Sequence, residues 1–163
     1  MEVYLIRHGI AGKRGTYADD EKRPLTAKGK DKTAKVAQRL STIVKLELIL
    51  TSPLIRAAQT ATIFQQAGLS KTVQTHDFLK PNGAIGDWLK WLQSYQVEDP
   101  QAQLALVGHQ PGLGNWAEML LWGTVKRQII VKKAGIIGLK LPDFGTPIAR
   151  SSLFLHTAPK WFI

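Results

Sequence analysis

The sequence predicts an α/β fold, a three-layer sandwich with a mostly parallel central sheet, helices on both faces and an antiparallel edge near the C-terminus. Three observations predict it. Short apolar runs alternate with longer amphipathic stretches along the whole chain, as in successive strand–helix units. Runs such as Val3–Ile6 and "AQLALVGH" (102–109) are apolar enough for buried strands. The last two strand-like runs flank a turn around "PDFGTP", which reads as a hairpin at the sheet edge. The 163 residues suffice for one domain, 1–163, with a sizeable core.

The first strand, Val3–Ile6, runs directly into Arg7-His8-Gly9 and then a polar loop, "KRGTYADDEKRP". "LTAKGKDKTAKVAQRLSTIV" (25–44) follows as a helix. Thr26 is its N-cap, and Val36, Ala37, Leu40, Ile43 and Val44 form its buried stripe. "LELILT" (46–51) is the second strand. "SPLIRAAQTATIFQQAG" (52–68) is a helix, with Ser52 as cap, Pro53 in the first turn, and Ala57, Ala61, Phe64 and Ala67 on the packed face. Gly68 ends it. "KTVQTHDF" contains a short strand. "GAIGDWLKWLQSY" is a helix with Ile85, Trp88, Leu89 and Leu92 on one side. The run 102–109 and the helix "PGLGNWAEMLLWG" come next, and "AGIIGLKL" and "SSLFLHT" close the chain as strands.

Composition removes several function classes. There is no cysteine, which excludes disulfides, a thiolate nucleophile and cysteine-ligated metal. No apolar run approaches the roughly 18 residues of a membrane span. No basic segment followed by an apolar run opens the chain, so a cytoplasmic protein is expected. The net charge is +10, and residues 124–163 hold seven basic groups against the single acid Asp143. Such a surface attracts anions such as phosphoryl groups, acidic proteins or nucleic acid, and it also keeps a protein soluble.

In open α/β sheets, ligands bind beyond the carboxyl ends of the strands. Three strand ends here carry suitable groups. The first carries Arg7-His8-Gly9. The second carries Thr51-Ser52-Pro53, with Arg56 in the following helical turn. The strand "LALVGH" carries Gly108-His109. If these strands are parallel, two arginines, two histidines and a helix N-terminus share one rim, a setting suited to a dianionic phosphoryl group. Imidazole can be an uncharged nucleophile near neutral pH, and arginines can stabilise charge on the equatorial oxygens without magnesium. Each piece alone has an ordinary structural explanation: a chance tripeptide, a core histidine, a surface arginine. The ordered combination is what points to chemistry.

"LIRHG", "TSPLIRAAQTA" and "LVGHQPGL" resemble the three signatures of the histidine phosphatase superfamily, also called the phosphoglycerate mutase-like fold. The match runs from residue 3 to about residue 122. The short length and the "RPLTAKG" stretch are similar to its SixA branch of small phosphohistidine phosphatases. The resemblance implies that His8 is the nucleophile and becomes phosphorylated. It implies that Arg7, Arg56 and His109 surround the phosphoryl group and that Gly9 shares in binding it. Gly9 would let the backbone approach closely, and its carbonyl would fix the His8 tautomer. No metal and no cofactor are implied.

One departure bears on substrate. Many members carry an acid for the leaving group in a pattern like L-x-E-x-x-x-G. Here the stretch is Leu79-Lys80-Pro81-Asn82-Gly83, with Pro81 at the acid's place, a lack also typical of the SixA branch. Asp77 and Asp87 are the nearest carboxylates, and Asp87 also suits the start of a helix. His76 and His156 lie outside the signatures. No H-E-x-x-H or nucleotide P-loop pattern is present. The expected function is a metal-free phosphatase acting on phosphohistidine in a signalling or phosphotransfer protein. The alternatives are a phosphatase for small phosphate esters and a non-catalytic basic binding module. The expected partner is a phosphorylated protein or a small phosphorylated substrate, with neither a membrane nor nucleic acid among the expected ligands.

Overall fold

In the computed structural model, which describes residues 1–95 and 102–163, six strands alternate with four α-helices. In chain order they are β1 (Glu2–Arg7), α1 (Ala27–Ser41), β2 (Leu48–Thr51), α2 (Ile55–Gln66), β3 (Val73–Thr75), α3 (Ile85–Ser94), β4 (Gln103–Gly108), α4 (Gly112–Trp122), β5 (Ile136–Lys140) and β6 (Ser152–Thr157). The sheet order is β3-β2-β4-β1-β5-β6. β2 pairs in parallel with β3 and with β4, and β4 pairs in parallel with β1. β5 and β6 add the antiparallel edge. This is the α/β sandwich that the alternation predicts.

The pleat assigns the two faces. Val3 and Leu5 of β1 point to one side with Leu48, Leu50, Leu104 and Leu106, against Trp88 of α3 and Leu113, Trp116 and Leu120 of α4. Tyr4 and Ile6 point to the other with Ile49, Ala105 and Val107, against Val36, Ala37 and Leu40 of α1 and Ala57, Ala61 and Phe64 of α2. Strands covered on both faces need apolar residues at every position, which explains the continuous runs. No helix among the described residues is long and apolar enough to cross a membrane.

Thr26 caps α1 as expected, its hydroxyl accepting from the Gly29 amide at 3.0 Å. Two expectations are corrected. α1 stops at Ser41, so Ile43 falls outside the buried stripe and is 64% exposed. α2 begins at Ile55 with Leu54 at its N-cap, so neither Ser52 nor Pro53 starts the helix. The reason is local. The Ser52 hydroxyl bonds to His109 at 2.9 Å and accepts only a long contact, 3.3 Å, from the Leu54 amide.

Candidate active site

β1, β2 and β4 are parallel neighbours, so their carboxyl ends form one rim. Arg7 lies opposite Gly108 in the β1–β4 register. The ladder continues one residue further, where the His8 amide donates to the Gly108 carbonyl at 3.1 Å. β2 is tied in alongside, the Ser52 amide donating to the Val107 carbonyl at 3.0 Å. This geometry brings His8 and His109 together, with ring centroids 5.1 Å apart. Arg7 and Arg56 line the same cavity of about 310 Å³ with both histidines. Pro81 is also in its wall.

His8 is buried, and its Nδ1 lies 2.7 Å from the Gly9 carbonyl. A carbonyl only accepts, so Nδ1 carries the proton and Nε2 keeps the lone pair. Burial lowers the His8 pKa to about 3 against the opposing Gly9 bond, helped by the neighbouring His109 ring and by the positive charges of Arg56 and Arg7. His109 is lowered to about 3 by burial and by Arg56, Arg7 and Arg23. Both rings are therefore neutral at physiological pH. The His109 Nε2 sits 2.9 Å from the Ser52 hydroxyl.

Gly9 lies under the site rather than in the cavity wall. Its amide donates to Thr60 Oγ1 at 3.0 Å, and that hydroxyl donates to the Arg56 carbonyl at 2.8 Å, coupling the end of β1 to the first turns of α2. A Cβ at this position would collide with the Thr33 hydroxyl of α1. The close approach that requires glycine is thus to a helix, and Gly9 offers no free amide to an anion.

The two arginines are held differently. Arg7 Nη1 donates to the Val131 carbonyl at 2.9 Å. Arg56 is 3% exposed, donates through Nη1 to the Asp20 carbonyl oxygen at 2.8 Å, and pairs through Nη2 with the Asp20 carboxylate at 3.2 Å. The Nε atoms of both arginines are buried with no partner among the described residues. Buried guanidinium donors without acceptors are costly, and an oxyanion is the acceptor they suit best.

Several functional-looking residues escape the sequence reading. Asp20 accepts from Arg23 Nε at 2.8 Å, and that bond, with the neighbouring Arg56 charge, holds its carboxyl below the usual range despite some desolvation. Arg23 is itself buried. Lys13, Arg14, Gln110 and Lys133 complete the rim. Arg23 belongs to the "RPLTAKG" stretch and Ser52 to the "TSPLIRAAQTA" signature, so a signal existed for both. Nothing local marks Asp20 or Lys133. Of the seven basic groups of the C-terminal region, Lys133 alone reaches the cavity wall. Asp77 and Asp87 do not line the cavity. Asp77 pairs with Lys80 at 3.4 Å, and Asp87 pairs with Lys90 at 3.5 Å in the first turn of α3. His76 stacks on Phe78, and His156 is exposed near the Ile130 carbonyl. Among the described residues no cluster of three metal-ligating side chains occurs.

Comparison with known proteins agrees with this geometry. Residues 3–110 match the family model for the histidine phosphatase superfamily (branch 1). An uncharacterized protein of Picosynechococcus sp. is 46% identical over 170 residues, covering 100% of this chain and 99% of that one. The phosphohistidine phosphatase SixA of Escherichia coli is 32% identical over 119 residues, 70% of each chain. The solved structure of the protein histidine phosphatase SixA complexed with tungstate superposes with a TM-score of 0.85 at 25% identity over 100% of both chains. The chain belongs to the histidine phosphatase superfamily and is a phosphatase with the SixA fold.

Proposed function

We propose that the protein removes phosphate from phosphohistidine on a partner protein, through a phosphohistidine intermediate on His8. In the first step His8 Nε2 attacks phosphorus in line. A P–N bond to His8 forms and the P–N bond of the substrate breaks; the substrate ring, already protonated by solvent on its other nitrogen, leaves as a neutral imidazole, while the phosphorylated His8 keeps its Nδ1 proton on the Gly9 carbonyl. In the second step water attacks the phosphorylated His8, releasing orthophosphate and restoring the neutral imidazole. Arg7, Arg56 and His109 stabilise the charge on the phosphoryl oxygens in both steps.

The observation that carries the substrate assignment is the carboxylate inventory of the cavity. Among the described residues its wall holds one carboxylate, Asp20, which Arg23 and Arg56 keep ionised and unable to donate a proton. Pro81, which stands at the acid's place in the resemblance, lines the cavity. An alkoxide leaves poorly without a proton donor, and general acid catalysis there contributes about 10²–10⁴-fold. Imidazole is a far weaker base and leaves with little help. The rim supports a protein substrate as well, because Lys13, Arg14 and Lys133 add positive charge around an open site.

The test compares kcat/KM on a phosphohistidine-bearing protein, an aryl phosphate and an alkyl phosphate, with Asp77→Asn and Asp87→Asn alongside. The expected order is phosphohistidine, then aryl, then alkyl, with both variants unchanged. Alkyl turnover equal to phosphohistidine turnover overturns the assignment in favour of a small-ester phosphatase. Turnover is also expected to survive EDTA, since the arginines supply the charge stabilisation.

A further inference from the structure

We infer that Glu118, inside α4, is a positioning residue for Arg7: its carboxylate fixes the 126–133 loop, and that loop presents the Val131 carbonyl that holds the Arg7 guanidinium. The inference rests on the reading of Arg7 as a phosphoryl-binding residue.

Glu118 is fully buried, with 0% exposure. Among the described residues no lysine or arginine pairs with it. Its oxygens instead accept four consecutive backbone amides. Oε2 takes those of Lys126 and Arg127, the latter at 2.7 Å, and Oε1 takes those of Gln128 and Ile129 at 2.5 and 2.7 Å. Burial pushes this carboxyl's pKa up, but the four amides together outweigh that and hold it below the usual range. A buried charge with no counter-ion is retained only where its hydrogen bonds are complete. Here they are complete with a single loop.

That loop is gripped along one side of α4. Gly114 and Glu118 are four residues apart and share one face of α4, and Gln110 stands just before the helix. A Cβ at Gly114 would collide with the Ile129 carbonyl. Gln110 bridges two loop positions, donating to the Ile129 carbonyl at 3.1 Å and accepting from the Val131 amide at 3.3 Å. The path then reaches Arg7 twice. The Val131 carbonyl accepts from Arg7 Nη1 at 2.9 Å. The Ala134 amide donates to the carbonyls of Arg7 and His8 at 3.1 and 3.2 Å. The backbone is also strained at both ends of the grip, with Arg127 at φ +57° and Ala134 at φ +58°, left-handed conformations in residues with a Cβ. Strain of this kind persists only where surroundings over-determine it, and it clusters at functional sites. A carboxylate needed only to staple a surface loop would not require the loop to meet the end of β1 in this constrained register.

The experiment uses the full chain with tungstate as the probe, a tetrahedral oxyanion, and measures its affinity by calorimetry in Arg7→Ala, Glu118→Gln and the double variant, each checked for folding by circular dichroism. Glu118→Gln keeps the shape but turns two donors toward amides that need acceptors. It is expected to weaken tungstate about tenfold and to lower kcat on an aryl phosphate. In the Arg7→Ala background it should add less than twofold, because its effect passes through Arg7. If Glu118→Gln does not fold, Gly114→Ala, which displaces the Ile129 carbonyl from outside the cavity, carries the test with the same expected coupling. Folded variants that bind tungstate like the wild type, or whose effects multiply fully with Arg7→Ala, overturn the inference and leave the reading of Arg7 intact. Wild-type tungstate affinity in Arg7→Ala alone overturns both.

Discussion

Arg7 and Arg56 face the same cavity, yet the chain secures them by opposite means. Arg56 sits in the first turn of α2 and is locked by one residue, Asp20, whose carboxylate pairs with Nη2 and whose backbone carbonyl accepts from Nη1. Arg7 ends a strand and is locked by a backbone carbonyl 124 residues away. Asp20 has a side chain 45% exposed, whereas Glu118, which holds the loop behind Arg7, has no exposure at all. One clamp is a partly solvated ion pair, sensitive to salt and to charge. The other is a dry backbone network, sensitive to shape. Two arginines of one cavity can therefore fail under different conditions.

The largest expected effect treats the two as equals. Arg7→Ala and Arg56→Ala should each lower kcat/KM on an aryl phosphate by about 10²-fold or more, as for loss of one preorganised donor. A variant with near wild-type kcat/KM would break the pairing and assign the clamp to the other arginine alone.

Acid titration separates them next. Both histidines are held near pKa 3 in the folded chain, below the ordinary 6.5. Folded-state values this low mean that the unfolded chain binds more protons below pH 6.5, so stability is intact above that pH and is lost as pH falls from 6.5 toward 3. A neutral His8 also keeps its nucleophile available, so kcat/KM should show no His8 limb between pH 5 and 8. Arg56 contributes more than Arg7 to lowering both histidines. Melting temperature followed against pH should therefore lose less on acidification in Arg56→Ala than in Arg7→Ala. The reverse ranking would mean that Arg7 dominates the field.

Asp20→Asn should give a smaller loss in kcat/KM, about three- to tenfold, as expected for a partly exposed pair. The size of that loss should shrink at about 1 M salt, where the screening length is about 3 Å, while the Glu118→Gln loss should not. Equal salt sensitivity in both would erase the distinction. The smallest effect expected is for Ser52→Ala, about threefold in kcat/KM, from one lost neutral hydrogen bond to His109.

The same contrast explains what was legible in the sequence. Arg7, His8 and His109 at strand ends and Arg56 in the first turn of α2 follow from strand–loop–helix boundaries, which apolar periodicity marks well. The sheet's parallel half and antiparallel edge follow from the alternation ending at residue 123. Local boundaries were less legible. Ile43 fits a helical period that α1 does not continue to use, and Ser52 fits a cap that His109 diverts. Asp20 and Glu118 were not legible. Asp20 matters because a polar loop folds it against Arg56, and Glu118 because a loop beyond its own helix turns four amides toward it. Neither has a periodic or spacing signal, since the partner in each case is set by tertiary contact.

Covalent transfer of the phosphoryl group to His8 underlies the proposed reaction. Its most direct test is acid- and base-quench of a turnover mixture containing substrate labelled in the phosphoryl group, followed by peptide mapping. Acid-labile, base-stable label is expected on the peptide carrying His8, absent in His8→Ala, with turnover lost in that variant. Label on another residue, or wild-type turnover by His8→Ala, would contradict it.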